Sequence, residues 1–397
     1  MLFIFSQPQY SFQALRAAGA ASSGAADIGE CLAAATLVQE GDDESWYLAW
    51  SHLAERLEQE AKESQKHGHF QSARSAFFRA TTYFRTAEFF LHSNVRDHRI
   101  LTTWRKSRDC FCSGAQYLNH PLVPVTIPFE GGSLPGYMCL VDGSGEKRPC
   151  VIVQTGFDGT KEELYFSIGK AIVERGMNCL LFEGPGQGAV IREQNIPFRH
   201  NWETVITPVV DFVLERNEID AQKIALIGMS FGGYLVPRAL AFEKRVGVGI
   251  VNGGIYDFHE VCMHGYPEIE PLLDDEHSCE TLNAEIVKEM HTNPSIRWAF
   301  SQGMYTFAAA TPVEWLRKTR EYRLETVVSQ ISCPMLVVDS EHDTLTGGQS
   351  KQLYAALRSP KSFLFFTEEE GAGEHCQVGA SMLSQERLLN WLQEQWV

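Results

Sequence analysis

A serine at position 230 stands between glycines two residues away on either side, in Gly228-Met229-Ser230-Phe231-Gly232-Gly233. A serine hydroxyl becomes a useful nucleophile only when a neighbouring base removes its proton, and that requires a turn open to base and substrate. The apolar, β-branched run Lys223–Gly228 leads straight into the turn, and a helix-compatible segment, Tyr234 to Phe242, follows it. Pro237 falls early in that helix, where proline is tolerated. This strand, turn and helix make the setting of a nucleophile elbow, which exposes the Ser230 hydroxyl at the C-terminal edge of a sheet. The first amides of the helix then point at the substrate. Gly228 and Gly232 allow neighbouring backbone to pass close, and Gly233 relieves crowding at the helix start. An ordinary glycine turn is the competing reading.

A serine nucleophile needs a base and an acid to orient that base, and behind an elbow they follow in the order Ser, Asp or Glu, His. Cys333–Ser340 reads as a buried strand, and Glu341-His342-Asp343-Thr344 leaves its C-terminal end as a loop. Asp343 lies farthest into that loop and is the favoured acid; Glu341 and Asp339 are the alternatives, and a turn-forming aspartate is the plain reading. A further strand, Ser362–Phe366, opens into Thr367–Cys376, where His375 follows a glycine-bearing stretch. His375 is the candidate base. His342 precedes the acid and would break the order, and Cys376 has no elbow around it and reads as a small buried residue.

An oxyanion hole takes one amide from the residue after the nucleophile, Phe231, and another from the loop after an earlier strand. The strand Pro149–Gln154 ends in Thr155-Gly156-Phe157-Asp158-Gly159-Thr160-Lys161-Glu162-Glu163, so Phe157 is the second candidate donor, with Asp158 in reserve. Thr160 with Glu163 three residues on has the pattern of a capping box, which would hold this loop in place.

These residues need a sheet and its supporting helices. Apolar residues recur at helical spacing from Glu44 to Gln65 (Trp46, Ala49, Trp50, Leu53, Leu57) and from Phe70 to Leu91 (Phe70, Ala73, Phe77, Ala80, Phe84). The break lies at His67-Gly68, and Ile100 to Leu118 forms a third helix. Residues 1–40 read as irregular, ordered at most by docking. Pro121 and Pro124 mark a boundary. Beyond it, Val125–Pro128 and Gly136–Leu140 are antiparallel strands joined through Gly131-Gly132. A second helical excursion, about 256–326, carries helices at Leu282–Met290, Ser295–Phe307 and Pro312–Arg320; it sits where a lid over the sheet edge would. Trp298, Met304, Tyr305 and Phe307 are expected to pack that lid together. The aromatic faces of the N-terminal helices are too apolar to stand in water and should dock on the catalytic domain or on a second copy, with a homodimer expected.

The elbow, the loop Thr155–Glu163, the segment Phe182-Glu183-Gly184-Pro185-Gly186-Gln187-Gly188 and the histidine loop Glu369–Cys376 together resemble the α/β-hydrolase superfamily. The likeness narrows to a branch that includes FrsA-like esterases, the bacterial 2,6-dihydroxypseudooxynicotine hydrolase and fungal hydrolases that shorten polyketide pigment precursors. It implies an α/β fold, a mostly parallel twisted sheet flanked by helices (residues 121–397), behind a helical N-terminal domain (1–120). It also implies a pocket between the two. Glu183 departs from the aspartate usual in the branch. The implied reaction is hydrolysis by a Ser230–His375–Asp343 triad of a carbon–carbon bond beside a ketone in an aromatic or polyketide-like small molecule. Carboxylester or thioester hydrolysis, or acyl transfer, uses the same triad. A regulatory binding protein without turnover is the alternative from another class.

The chain has 397 residues and a net charge of −16, which suits neither nucleic acid nor an anionic membrane as a partner. Its ten cysteines show no Cys-x-x-Cys pair or zinc-ligand spacing. Cys150, Cys179 and Cys333 fall in apolar strands, as buried free thiols do, and a reducing cytoplasm is expected. The apolar run Met1–Phe5 is too short for a signal peptide, and no run reaches transmembrane length. No dinucleotide or P-loop fingerprint is present, and Gly184, Gly186 and Gly188 read as a structural turn, so neither cofactor nor metal is expected.

Overall fold

The structure, a computed structural model, describes residues 3–264 and 266–396. Two strands, β1 (Leu122–Phe129) and β2 (Gly132–Cys139), pair antiparallel. Six more follow: β3 (Arg148–Gln154), β4 (Asn178–Phe182), β5 (Ile219–Met229), β6 (Val248–Asn252), β7 (Met335–Ser340) and β8 (Lys361–Phe366). They form one sheet in the order β1-β2-β4-β3-β5-β6-β7-β8. β2 meets β4 antiparallel, and every later pair is parallel. Parallel strands covered on both faces read as continuous apolar runs, and Cys150–Val153 and Ile224–Ile227 are fully buried. Helices Glu203–Leu214 and Gly232–Leu240 cover one face. Tyr165–Ile172 and helix Ser381–Glu394 cover the other.

β3 and β5 are neighbours although β4 separates them in the chain, so the connections leave their C-terminal ends in opposite directions. The crevice that opens there is where open α/β sheets place their ligands. Ser230 follows β5 and Phe157 follows β3.

Among the described residues, five α-helices precede the sheet: α1 (Pro8–Gly19), α2 (Ile28–Ala35), α3 (Asp43–Lys66), α4 (Phe70–Glu88) and α5 (His98–Ala115). Two of them lie where irregular chain was expected. The Gln7 side chain accepts the Tyr10 amide and Pro8 occupies the first turn, so α1 has a proper start. Its buried side holds Tyr10, the polar Ser11 and Gln13, and then Ala14, Ala17 and Ala18, so no continuous stripe of large apolar residues runs along it.

The aromatic faces of α3 and α4 are also spent differently from the expectation. Trp46 and Trp50 pack with Tyr10, Tyr83 and Phe90 inside the helical domain, and Phe77 and Phe84 join the same core. Phe70 is half exposed and stacks on Tyr117. The sheet is met instead by Phe78 and Phe111, which touch Tyr137, Tyr165 and Phe166. An α4 residue next to a self-packed one therefore faces the second domain.

Within 256–326, helices run Phe258–Cys262, Glu276–Thr292, Pro294–Thr306 and Pro312–Thr319. This segment closes on the helical domain: Arg297 pairs with Asp43 at 3.0 Å and Trp298 stacks on Phe89 at 4.6 Å between centroids. Among the described residues no helix is long and apolar enough to cross a membrane.

Candidate active site

β5 ends in the turn the sequence called for. Ser230 has φ +58°, left-handed backbone that a non-glycine residue holds only where its surroundings enforce it. Two bonds enforce it here: Ser230 N–H donates to Asn252 O at 2.8 Å, and Gly233 N–H donates to Ser230 O at 2.7 Å. A side chain at position 228 would lie 2.2 Å from Gly232 O, so the elbow closes only with glycine.

Ser230 Oγ lies 2.8 Å from His375 Nε2, and His375 Nδ1 lies 2.7 Å from Asp343 Oδ2. The other Asp343 oxygen accepts the Leu345 and Thr346 amides, each at 3.1 Å. The two rival acids face elsewhere: Glu341 accepts the Glu368 amide, and Asp339 caps the Ser340 amide. His342 is exposed and pairs with Glu368. Burial opposes charge on His375, yet the Asp343 carboxylate outweighs it and lifts the imidazole well above the ordinary histidine range. Cys376 is not packed away as expected. Its own backbone is left-handed (φ +52°), which swings Sγ back to 3.4 Å from His375 Nε2 and from Asn252 O.

The loop after β3 approaches this line. A Cβ at Gly156 would stand 2.5 Å from Phe231 N, so only glycine brings the two segments this close. Gln187 Nε2 donates to Thr155 O at 2.8 Å and to Gly156 O at 3.1 Å. A trans peptide points its C=O and N–H in opposite directions, so this grip turns the Phe157 N–H away from Gln187. Among the described residues, neither the Phe157 nor the Phe231 N–H is given to a protein acceptor. Glu183 ties the same loop down from below: its carboxylate accepts the Lys161 amide at 3.0 Å, Lys161 Nζ at 3.1 Å and the Ala189 amide at 2.9 Å.

The capping box forms by half. Thr160 accepts the Glu163 amide, but the Glu163 carboxylate turns to Arg16 of α1, with contacts of 2.6 and 2.7 Å. Arg16 also meets Asp158 at 2.7 Å, and Arg85 of α4 meets Asp158 at 2.8 Å. Burial alone would raise both carboxyls; the two arginines hold them below their usual range. Sequence reading missed this cluster, because its partners come from far along the chain and only packing unites them.

A cavity of about 570 Å³ opens on Ser230 and His375. Its walls are mainly apolar and include aromatic rings, Phe12 of α1, Phe157 and Phe258 near the nucleophile, and Trp298, Phe300 and Trp315 from 256–326, with the Arg16, Arg85, Asp158 and Glu163 cluster also on its lining. Trp298 therefore does more than pack neighbouring helices together. No group of three or more His, Cys, Asp or Glu side chains placed to hold a metal ion occurs among the described residues.

Comparison with known proteins places the chain in a family. Residues 32–258 match the FrsA-like esterases. The chain is 32% identical to the hydrolase LUC6 of a Fusarium species over 98% of its own length and 97% of the relative's. It is likewise 32% identical to the 20-hydroxy-prefusarin hydrolase FUS2 of Gibberella moniliformis, over 98% and 97%. Among solved structures, a 2,6-dihydroxy-pseudo-oxynicotine hydrolase superposes with a TM-score of 0.76 at 21% identity, covering 96% of this chain and 95% of that one. The fold is thus shared from the helical domain onward, and the chain is an α/β-hydrolase enzyme belonging to the FrsA-like esterase family.

Proposed function

We propose that Ser230, His375 and Asp343 act as a catalytic triad that cleaves a carbon–carbon bond beside a ketone in an aromatic or polyketide-like small molecule. The observation that carries this reading is the unbroken line from Asp343 through His375 to Ser230, opening on a mainly apolar cavity with several aromatic rings in its wall. His375 takes the Ser230 proton as Oγ attacks the ketone carbon. The resulting oxyanion is received by the N–H groups of Phe231 and Phe157, each worth ~3 kcal/mol of transition-state stabilisation. Collapse breaks the adjacent carbon–carbon bond and leaves an acyl-serine. The departing carbanion, delocalised into its own carbonyl or ring, takes the proton held by His375. Water then attacks the acyl group with His375 again as base, releasing a carboxylic acid and free Ser230.

Sequence motifs shared with hydrolases that shorten polyketide precursors support the ketone. Carboxylester hydrolysis is the second reading, favoured by the esterase description of the matching family. The discriminating experiment incubates the enzyme with a panel of aryl β-diketones, matched aryl esters and thioesters, and identifies the products by mass spectrometry. Turnover of diketones to a carboxylic acid and a shortened ketone is the expected result. Turnover confined to esters or thioesters replaces the carbon–carbon reading with the second one.

The imidazole must be neutral to accept the Ser230 proton. Because Asp343 raises its pKa, kcat/KM falls as pH drops, with the midpoint above the unperturbed histidine value of ~6.5. A profile with its acid midpoint at or below that value contradicts the role given to Asp343.

A further inference from the structure

The carbonyl of Phe157 is held as firmly as its loop neighbours. Gln302, on helix Pro294–Thr306, donates from Nε2 to Phe157 O at 2.8 Å. Its amide oxygen faces Nδ1 of His92, which lies just beyond α4. The other ring nitrogen, Nε2, meets Glu88 Oε1 at 2.8 Å. The same Glu88 oxygen receives Arg192 Nη2 at 2.6 Å and Nε at 3.1 Å. Glu88, His92 and Gln302 are all buried.

The directions in this chain can be worked out from its ends. A peptide carbonyl only accepts, so the NH₂ of Gln302 faces Phe157 and Oε1 faces His92. That oxygen only accepts, so Nδ1 of His92 carries a hydrogen. At the far end, the Arg192 guanidinium donates to Glu88 Oε1 from two nitrogens and, against burial, holds the carboxyl below its usual range. An ionised carboxylate also only accepts, so Nε2 carries a hydrogen as well. An imidazole with hydrogen on both nitrogens is a cation.

We propose that His92 is a buried imidazolium that, through Gln302, anchors the Phe157–Asp158 peptide, so that residue 157 is held from its carbonyl side while Gln187 holds the Gly156–Phe157 peptide whose N–H faces the oxyanion on Ser230. His92 and Gln302 are positioning residues: neither touches the reacting atoms. The inference rests on the reading of Phe157 as an oxyanion donor. The groups facing His92 are Glu88 beside it, Arg192 of helix Gly188–Gln194, and Gln302 and Tyr305 of helix Pro294–Thr306, with the Tyr305 ring edge-on at 5.2 Å. Glu88 supports the cation and Arg192 opposes it. Loss of the His92 proton would leave two acceptors facing each other at one link, which frees Gln302 to rotate and loosens residue 157 from its carbonyl side, at the Phe157–Asp158 peptide.

The test combines labelling, kinetics and spectroscopy on the full chain. A fluorophosphonate probe should label Ser230 in the wild-type protein. With 4-nitrophenyl butyrate as substrate, Gln302→Met should lower kcat by ~10–100-fold at nearly unchanged KM, as expected when one oxyanion donor is misplaced. Gln302→Glu keeps an acceptor toward His92 but offers Phe157 no donor, and it should lose kcat to a similar degree. Thermal melting of both variants identifies a loss caused by unfolding. In the Ser230→Ala protein, ¹⁵N spectra of the imidazoles, with the His92 signals assigned by comparison with His92→Phe, should show both nitrogens protonated at neutral pH. Labelled Ser230 with wild-type kcat in a folded Gln302→Met or Gln302→Glu enzyme overturns the relay and leaves the hydrolase mechanism standing. An unprotonated nitrogen on His92 also overturns it. Absence of Ser230 labelling removes the underlying mechanism, and the relay falls with it.

Discussion

Replacing Ser230 with alanine should lower kcat/KM by ~10⁵-fold or more while the protein melts at the wild-type temperature. The covalent route has no substitute for the Oγ atom, and knocking out the nucleophile of a triad costs on the order of 10⁶ in rate. The structural cost is small. Among the described residues, the hydrogen bond of Ser230 Oγ goes to the His375 ring, the bonds that hold the elbow run through the Ser230 main chain, and alanine keeps the Cβ already accommodated at φ +58°. Steady-state kinetics on the substrate found by product analysis, beside a calorimetric melt, checks both halves. A variant that keeps near wild-type turnover would remove the acyl-serine from the mechanism.

Asp343→Asn should preserve folding and substrate affinity but lower kcat by ~10⁴-fold, because it imposes the wrong imidazole tautomer. The geometry explains why the change cannot be absorbed. One oxygen of Asp343 accepts two backbone amides, from Leu345 and Thr346, so in the variant that position must remain an oxygen. The new NH₂ then faces His375 Nδ1, which has to give up its hydrogen. The hydrogen moves to Nε2, facing Ser230, where a base is required. The acid limb of the pH profile should also move down, since the carboxylate that raises the imidazole pKa is gone. A normal rate in this variant would transfer the acid role to Glu341 or Asp339.

How much of this was legible in the sequence follows from distance along the chain. The elbow is local: an apolar strand, two spaced glycines and a helix start are contiguous, so Ser230 could be read together with its backbone context. Asp343 and His375 follow from chain order behind an elbow, which identifies loops more than distances. The parallel core was visible because strands covered on both faces lose their polar alternation. What stayed hidden was the support of the Phe157 loop. Arg16, Arg85, His92 and Gln302 look like unremarkable polar residues on helices, and only tertiary packing brings them to positions 157, 158 and 163. α1 was missed for a related reason. Beyond Tyr10 its buried face carries alanines and the polar Ser11 and Gln13, so periodicity had little apolar bulk to register. The thiol of Cys376 was misplaced because sequence does not reveal that its residue adopts left-handed backbone.

The contact of Phe78 and Phe111 with Tyr137, Tyr165 and Phe166 also bears on how the chain is made. On the ribosome α4 and α5 emerge before any part of the sheet. α3 can cover the Phe77 and Phe84 side of α4 at once, but the Phe78 and Phe111 side has no cover until β2 and the segment after β3 have been synthesised. Apolar surface left open for that interval invites association with other nascent chains. Cells that produce this enzyme in quantity must therefore shield a half-finished interface, and slowing translation between α5 and β4 would lengthen that exposure.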